Sequence, residues 1–151
     1  MLFRSGDVFV ANRKLGRGIN LGNFLEAPKG ASWGIAIRDE DFRIIKQAGF
    51  DSVRLPVRWP DYALEKAPYT IDAGFFARVD HLLDVAAKNG LNVVLNIHHY
   101  EALDKDPAAH AERFVALWLG HPDHLSEPCS GEEHPVTISS MRCIAVLYPT
   151  A

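Results

Sequence analysis

The sequence predicts an α/β fold on a parallel sheet, and three observations predict it. Strand-like apolar segments alternate with segments of helical period three times before Trp118. The third strand segment, Asn92 to His98, is a near-continuous apolar run of the kind buried on both faces of a parallel sheet. Polar and aromatic residues gather after each strand, where the C-terminal ends of barrel strands carry chemistry. No Gly-x-Gly-x-x-Gly turn follows the first strand, so a dinucleotide-binding doubly wound sheet loses its main support. The expected architecture is a partial (β/α)₈ TIM barrel, its first three βα units, with a divergent C-terminal tail.

The first strand is short, Gly16 to Gly22, and a loop from Asn23 to Arg38 follows it. Asp39-Glu40-Asp41 opens a helix, because acids favour the positive end of the helix dipole. Phe42, Ile45 and Ala48 form its apolar stripe, and Gly49 is its stop. The second strand, Asp51 to Arg58, sets Val53, Leu55 and Val57 against Ser52, Arg54 and Pro56. After a loop containing Trp59, Tyr62 and Tyr69, Asp72 caps a helix. Its core positions are Phe75, Phe76, Val79, Leu82, Leu83 and Ala86, and Gly90 ends it. The helix after the third strand has Asp106 as cap, Pro107 at its first position, then Phe114, Leu117 and Trp118.

Composition narrows the function classes. The chain has 151 residues, 48% hydrophobic, enough for one domain with a core. A formal net charge of -3 gives no reason to expect a nucleic acid or an anionic membrane as partner. No apolar run reaches the length of a membrane span, and the N-terminal residues show no signal-peptide h-region, which leaves localisation unassigned.

Residues 119–151 have a different texture, with three of the seven histidines, four of the nine prolines and both cysteines. Helical periodicity stops there, and Ile144 to Tyr148 is the one strand-like run. Cys129 and Cys143 make no metal motif; they read as incidental thiols, with a disulfide as the alternative. A domain boundary is expected between residues 118 and 119, where a truncated or frameshifted coding sequence would produce this change.

The chemistry-bearing residues lie at the strand ends. Alternation puts Arg54 opposite Val53 and Leu55, and puts Val94, Asn96 and His98 on one face of the third strand. If the valines and leucines face the helices, then Arg54, Asn96 and His98 face the barrel axis. A guanidinium there needs a partner, since a stranded buried charge costs several kcal/mol or more. His98 and His99 are adjacent, so both line one pocket only where the strand turns into its loop. Three readings stay open for them: a core histidine beside a surface one, a metal site with Glu101, or contact with substrate. Asn20, Asn23 and Glu26 follow the first strand, and the loops hold Phe24, Trp33, Trp59, Tyr62, Tyr69 and Tyr100. Flat aromatic faces beside amides, carboxylates and imidazoles suit sugar rings; packing under long loops is the competing explanation.

Three segments together resemble glycoside hydrolase family 5, the large cellulase family. They are Arg17 to Pro28 (RGINLGNFLEAP), Gly49 to Trp59 (GFDSVRLPVRW) and Leu95 to Glu101 (LNIHHYE), in the family's order. Ala111 to Trp118 (AERFVALW) looks like its third helix. The likeness covers residues 10 to 118 and is specific as a set, with the nearest look to bacterial endo-β-1,4-glucanases that also accept mannan or mixed-linkage glucan. It implies a retaining hydrolase of β-glucan that uses no metal and no cofactor. It also implies that Arg54 supports the nucleophile carboxylate, that His98 and His99 contact sugar at the cleavage point, that Asn23 and Glu26 bind hydroxyls nearby, and that Tyr100 is a further substrate-binding residue. The family's two catalytic glutamates follow strands four and seven, which this chain does not contain. Ser126-Glu127-Pro128 imitates the first of those motifs without a strand before it. The chain alone is therefore expected to be inactive, or to act as a carbohydrate-binding or partner-completed fragment through its open sheet edges.

Overall fold

The computed structural model describes residues 13–119, and within them three strands and four helices follow the expected βαβαβα order. The elements are β1 (Gly18–Asn20), α1 (Asp39–Gln47), β2 (Ser52–Val57), α2 (Ala73–Lys88), β3 (Asn92–Ile97), α3 (Glu101–Lys105) and α4 (Pro107–Leu119). A 3₁₀ turn at Trp59–Tyr62 and the short α3 are elements the sequence pattern did not disclose. The strand-like run Ile144 to Tyr148, the two cysteines and Ser126-Glu127-Pro128 lie outside the described residues.

The sheet is parallel, ordered β1-β2-β3, and unstaggered. Asn20 stands opposite Arg54, Arg54 opposite Val94, and Pro56 opposite Asn96. Val53, Leu55 and Val57 are almost wholly buried, and Leu95 joins them in the core, as their alternation predicts. A proline in the central strand would normally remove a ladder hydrogen bond. Here Arg54 O accepts from Leu21 N, so Pro56, two residues on, also faces the β1 side. By that level β1 has already ended, and no strand partner for the missing N–H exists there. Proline is tolerated because the neighbouring strand is short.

Both predicted caps form. Asp72 Oδ1 accepts from Phe75 N at 2.8 Å, and Asp106 Oδ1 accepts from Ala109 N at 3.1 Å. At α1 the acids do more than meet a dipole, for Asp41 Oδ2 accepts from Arg38 N at 2.8 Å. Gly49 and Gly90 adopt the left-handed conformation just past α1 and α2. Phe42 and Ile45 are buried under α1, but Ala48 is exposed and closes the stripe early. Phe75, Val79, Leu82, Leu83 and Ala86 of α2 are buried, which fixes that helix against the sheet.

Arg113, which no sequence pattern marked, holds α4 to the loop after β2. Its Nη2 donates to Pro60 O (2.8 Å) and Ala63 O (2.9 Å), and its Nε donates to Leu64 O (3.0 Å). Nη1 donates to Tyr100 Oη at 3.3 Å, and the guanidinium lies 5.5 Å from that ring's centroid. The residue is buried, so its fork of donors must be answered within the protein, and these carbonyls answer it. Replacing it with Met leaves those carbonyls unpaired and should lower unfolding stability by about 3 kcal/mol, measured by urea denaturation of the 151-residue chain. Arg113→Lys should recover little of this, because an ammonium cannot serve three divergent acceptors in the same plane.

Candidate active site

The parallel strands point their exits to one end of the sheet, and each exit contributes polar groups. From β1, Asn20 Oδ1 accepts from Arg54 Nη1 at 2.8 Å. That amide is the partner the arginine required. Among the described residues no carboxylate lies within ion-pair distance of Arg54, so the half-buried guanidinium has donors to spare.

Glu26 is 4% exposed, and its carboxylate braces the β1 exit. Oε1 accepts from Asn23 N and Oε2 accepts from Phe24 N at 3.0 Å. These bonds hold Asn23 at a left-handed φ of 63°, which asparagine tolerates better than most residues. Gly22 is required between them, because a Cβ there would lie 2.6 Å from Asn20 Nδ2 and 3.1 Å from Glu26 Oε1. The Asn23 side chain remains exposed at the rim.

From β3, Asn96 and His98 share a face, with Asn96 Nδ2 3.3 Å from His98 Nδ1. The strand ends at Ile97 and His99 adopts a φ of 56°, so the chain is already turning. The two imidazole centroids lie 4.2 Å apart, inclined at 58°, so the turn brings the adjacent rings together. Trp33, from the long loop after β1, meets His99 edge-on at 6.1 Å and is itself 46% exposed.

Tyr100, which the resemblance assigns to substrate binding, lies largely beneath the surface. It is 7% exposed, its hydroxyl lies 3.2 Å from His110 Nδ1, and it also accepts from Arg113. Residue 99's left-handed turn sends the next side chain down into the helices, where a phenol must satisfy its oxygen. Glu101 is likewise engaged, its two oxygens accepting from Arg58 Nη2 at 2.9 and 3.1 Å. Among the described residues no group of three His, Cys, Asp or Glu side chains is placed to hold a metal ion.

Most loop aromatics are packing residues. Trp59 is buried against Phe75 and Phe76. Tyr62 stacks on Phe75 at 3.6 Å with Lys29 over its ring, and Phe24 lies under the Arg78 guanidinium. Trp33 keeps a broad exposed surface beside the histidines.

Burial, the neighbouring His99 and the Arg54 guanidinium hold His98 below the ordinary imidazole value of 6.5, against the opposing pull of Glu26. The unfolded chain takes up that proton near 6.5, while the native ring takes it up at lower pH. Unfolded molecules thus bind more protons in that window, and stability falls as pH drops through it. In an NMR titration, His98 should show a midpoint below 6.5, and Arg54→Met should move it part of the way back up. Burial, the largest cause, would persist in the variant.

Comparisons with known proteins agree with the parallel α/β fold. The family model described as Cellulase (glycosyl hydrolase family 5) matches residues 16–123. Endoglucanase H of Acetivibrio thermocellus is 39% identical over 112 residues, covering 74% of this chain and 12% of that protein. Endoglucanase A of Paenibacillus barcinonensis is 38% identical over 91 residues, 56% of this chain and 23% of the relative. Among solved structures, Thermotoga maritima Cel5A in complex with mannotriose superposes with a TM-score of 0.70 at 56% identity. That match covers 73% of this chain and 36% of the other. The chain thus spans well under half the length of each of these relatives.

Proposed function

Since this chain belongs to the cellulases of glycoside hydrolase family 5, we propose that its rim binds β-1,4-linked glucan as part of a retaining endoglucanase. The observation that carries this reading is the convergence of Asn20, Arg54, His98 and His99 beside the exposed ring of Trp33. Sugars offer hydroxyls in the plane of the ring and C–H groups above it. A rim of amide and imidazole donors next to an aromatic surface complements both. In this reading His98 and His99 contact the sugar at the cleavage point and Asn23 reaches its hydroxyls. Glu26 uses the second lone pairs of its bonded oxygens, and Tyr100 supports the histidines from beneath.

Retaining hydrolysis needs a nucleophilic carboxylate and an acid/base carboxylate about 5 Å apart. Glu26 is tied to two backbone amides and Glu101 to Arg58, so neither is free for either role. Arg54 is the group suited to hold the nucleophile ionised, since a charge-assisted bond to a guanidinium favours the carboxylate form. We therefore assign substrate positioning to this chain and bond cleavage to carboxylates outside residues 13–119. The 151-residue chain alone is expected to be inactive. A partner-completed form is favoured by the sheet, for among the described residues β1 and β3 each pair on one side alone.

Two measurements on the purified chain test this. Cellotetraose, added to isotope-labelled protein, should shift NMR signals of His98, His99, Trp33 and Asn23 together, and Arg54→Met should weaken the response several-fold. An unchanged spectrum at millimolar sugar would refute the binding reading. Reducing-sugar release from carboxymethylcellulose should not exceed the blank; release abolished by Glu26→Gln would place the chemistry in this chain after all.

A further inference from the structure

We propose that Asn96 is a positioning residue that fixes the tautomer of His98, so that Nε2 carries the proton and is the donor offered to the rim. The significance of that donor rests on the sugar-binding reading above; the tautomer itself does not. Asn96 and His98 are two residues apart on one face of β3 and its exit. The orientation of the Asn96 amide is set independently of the histidine. Its Nδ2 donates to Ile97 O at 3.1 Å, and a carbonyl can only accept, so the reversed amide would oppose two oxygens. The same Nδ2 lies 3.3 Å from His98 Nδ1. An amide nitrogen has no lone pair to give, so Nδ1 must be the acceptor and must lack a proton. A neutral imidazole with a bare Nδ1 is protonated at Nε2.

Two further observations agree. Asn96 Oδ1 is buried with no hydrogen-bond partner among the described residues. Val94, on the same face one step earlier, meets that stretch of the sheet without a polar atom. A residue needed for packing alone would not bring an orphaned oxygen with it. The ring is also placed to stay neutral: burial, His99, Arg54 and Arg58 all disfavour its charged form, with Glu26 opposing them. The backbone beneath is fixed, since His98 N donates to Val57 O at 2.8 Å. His98 therefore presents a hydrogen-bond donor, suited to a sugar hydroxyl or ring oxygen, and not a base.

The test is a long-range ¹H–¹⁵N spectrum of the imidazoles in the ¹⁵N-histidine-labelled 151-residue chain at pH 7.5. His98 should be in the Nε2–H form. In Asn96→Asp, a carboxylate facing Nδ1 should draw the proton there, shifting the ring toward the Nδ1–H or doubly protonated form and raising its titration midpoint. His99, Arg54, Arg58 and Glu26 also face the ring and are unchanged in this variant. A wild-type spectrum showing Nδ1–H overturns the proposal, whether or not the variant folds. So does a folded Asn96→Asp chain whose His98 keeps its tautomer and midpoint. Cellotetraose added to the same wild-type sample separates the two claims. A sugar response with Nδ1–H sinks the tautomer assignment alone; Nε2–H with no sugar response sinks the binding reading alone.

Discussion

Parallel strands send their C-terminal ends to one side of the sheet, and whatever follows them arrives at that rim. Here Gly18 to Asn20 lies against Ser52 to Arg54, and Ser52 to Val57 against Asn92 to Ile97. That registration makes Asn20 and Arg54 direct neighbours and sets Asn96 beside Pro56. Slipping β2 by one residue would send Arg54 into the helices and Val53 or Leu55 to the rim. Burial of Val53, Leu55 and Val57 forbids the slip. The apolar core thus fixes where the polar groups go, and the site inherits its geometry from packing on the other face of the sheet.

Three arginines show how one side chain serves different ends according to what answers it. Arg113 gives its donors to three carbonyls and a phenol, so it fastens two loops and has little left to offer. Arg58 is neutralised by Asp61 and Glu101, which join the β2 exit to α3. Arg54 meets one neutral amide. A dipole holds a guanidinium in place without cancelling its field, which leaves the charge able to act on a neighbour. Its field reaches His98, where it disfavours the charged imidazole more than the paired Arg58 does.

Much of this was legible in the residues. Alternation located the faces of β2 and β3, and the caps at Asp72 and Asp106 followed from short acceptors before helical runs. The paired histidines and Arg54 were marked as candidates because strand ends concentrate function. What escaped detection depends on contacts distant in sequence. Arg113 sits in an ordinary helical pattern, and its acceptors are carbonyls some fifty positions earlier. Carbonyls leave no mark in a sequence. The bonds of Glu26 to Asn23 and Phe24 were not legible, because nothing local reveals that its carboxylate bends back. Tyr100 was grouped with the histidines by adjacency, and one left-handed residue was enough to separate them. Exposure of Ala48 shows the same limit, since periodicity cannot tell where a partner surface stops.

The left-handed residues carry the last step. Asn23 lies at the exit of β1 and His99 at the exit of β3, on either side of Arg54. A strand continuing straight would point His99 away from His98 and would carry the loop beyond the rim. A residue at positive φ reverses the chain's course within one step, at an energetic cost glycine would reduce. Neither position is glycine, and in each the side chain is what the rim gains. The Glu26 carboxylate holds the first bend by accepting from residues 23 and 24. The second is held from below, where Tyr100 is anchored to His110 and Arg113. Buried polar bonds one residue away thus keep two unfavourable backbone conformations in place. That is why Glu26 and Tyr100, though themselves withdrawn from solvent, govern which side chains face it.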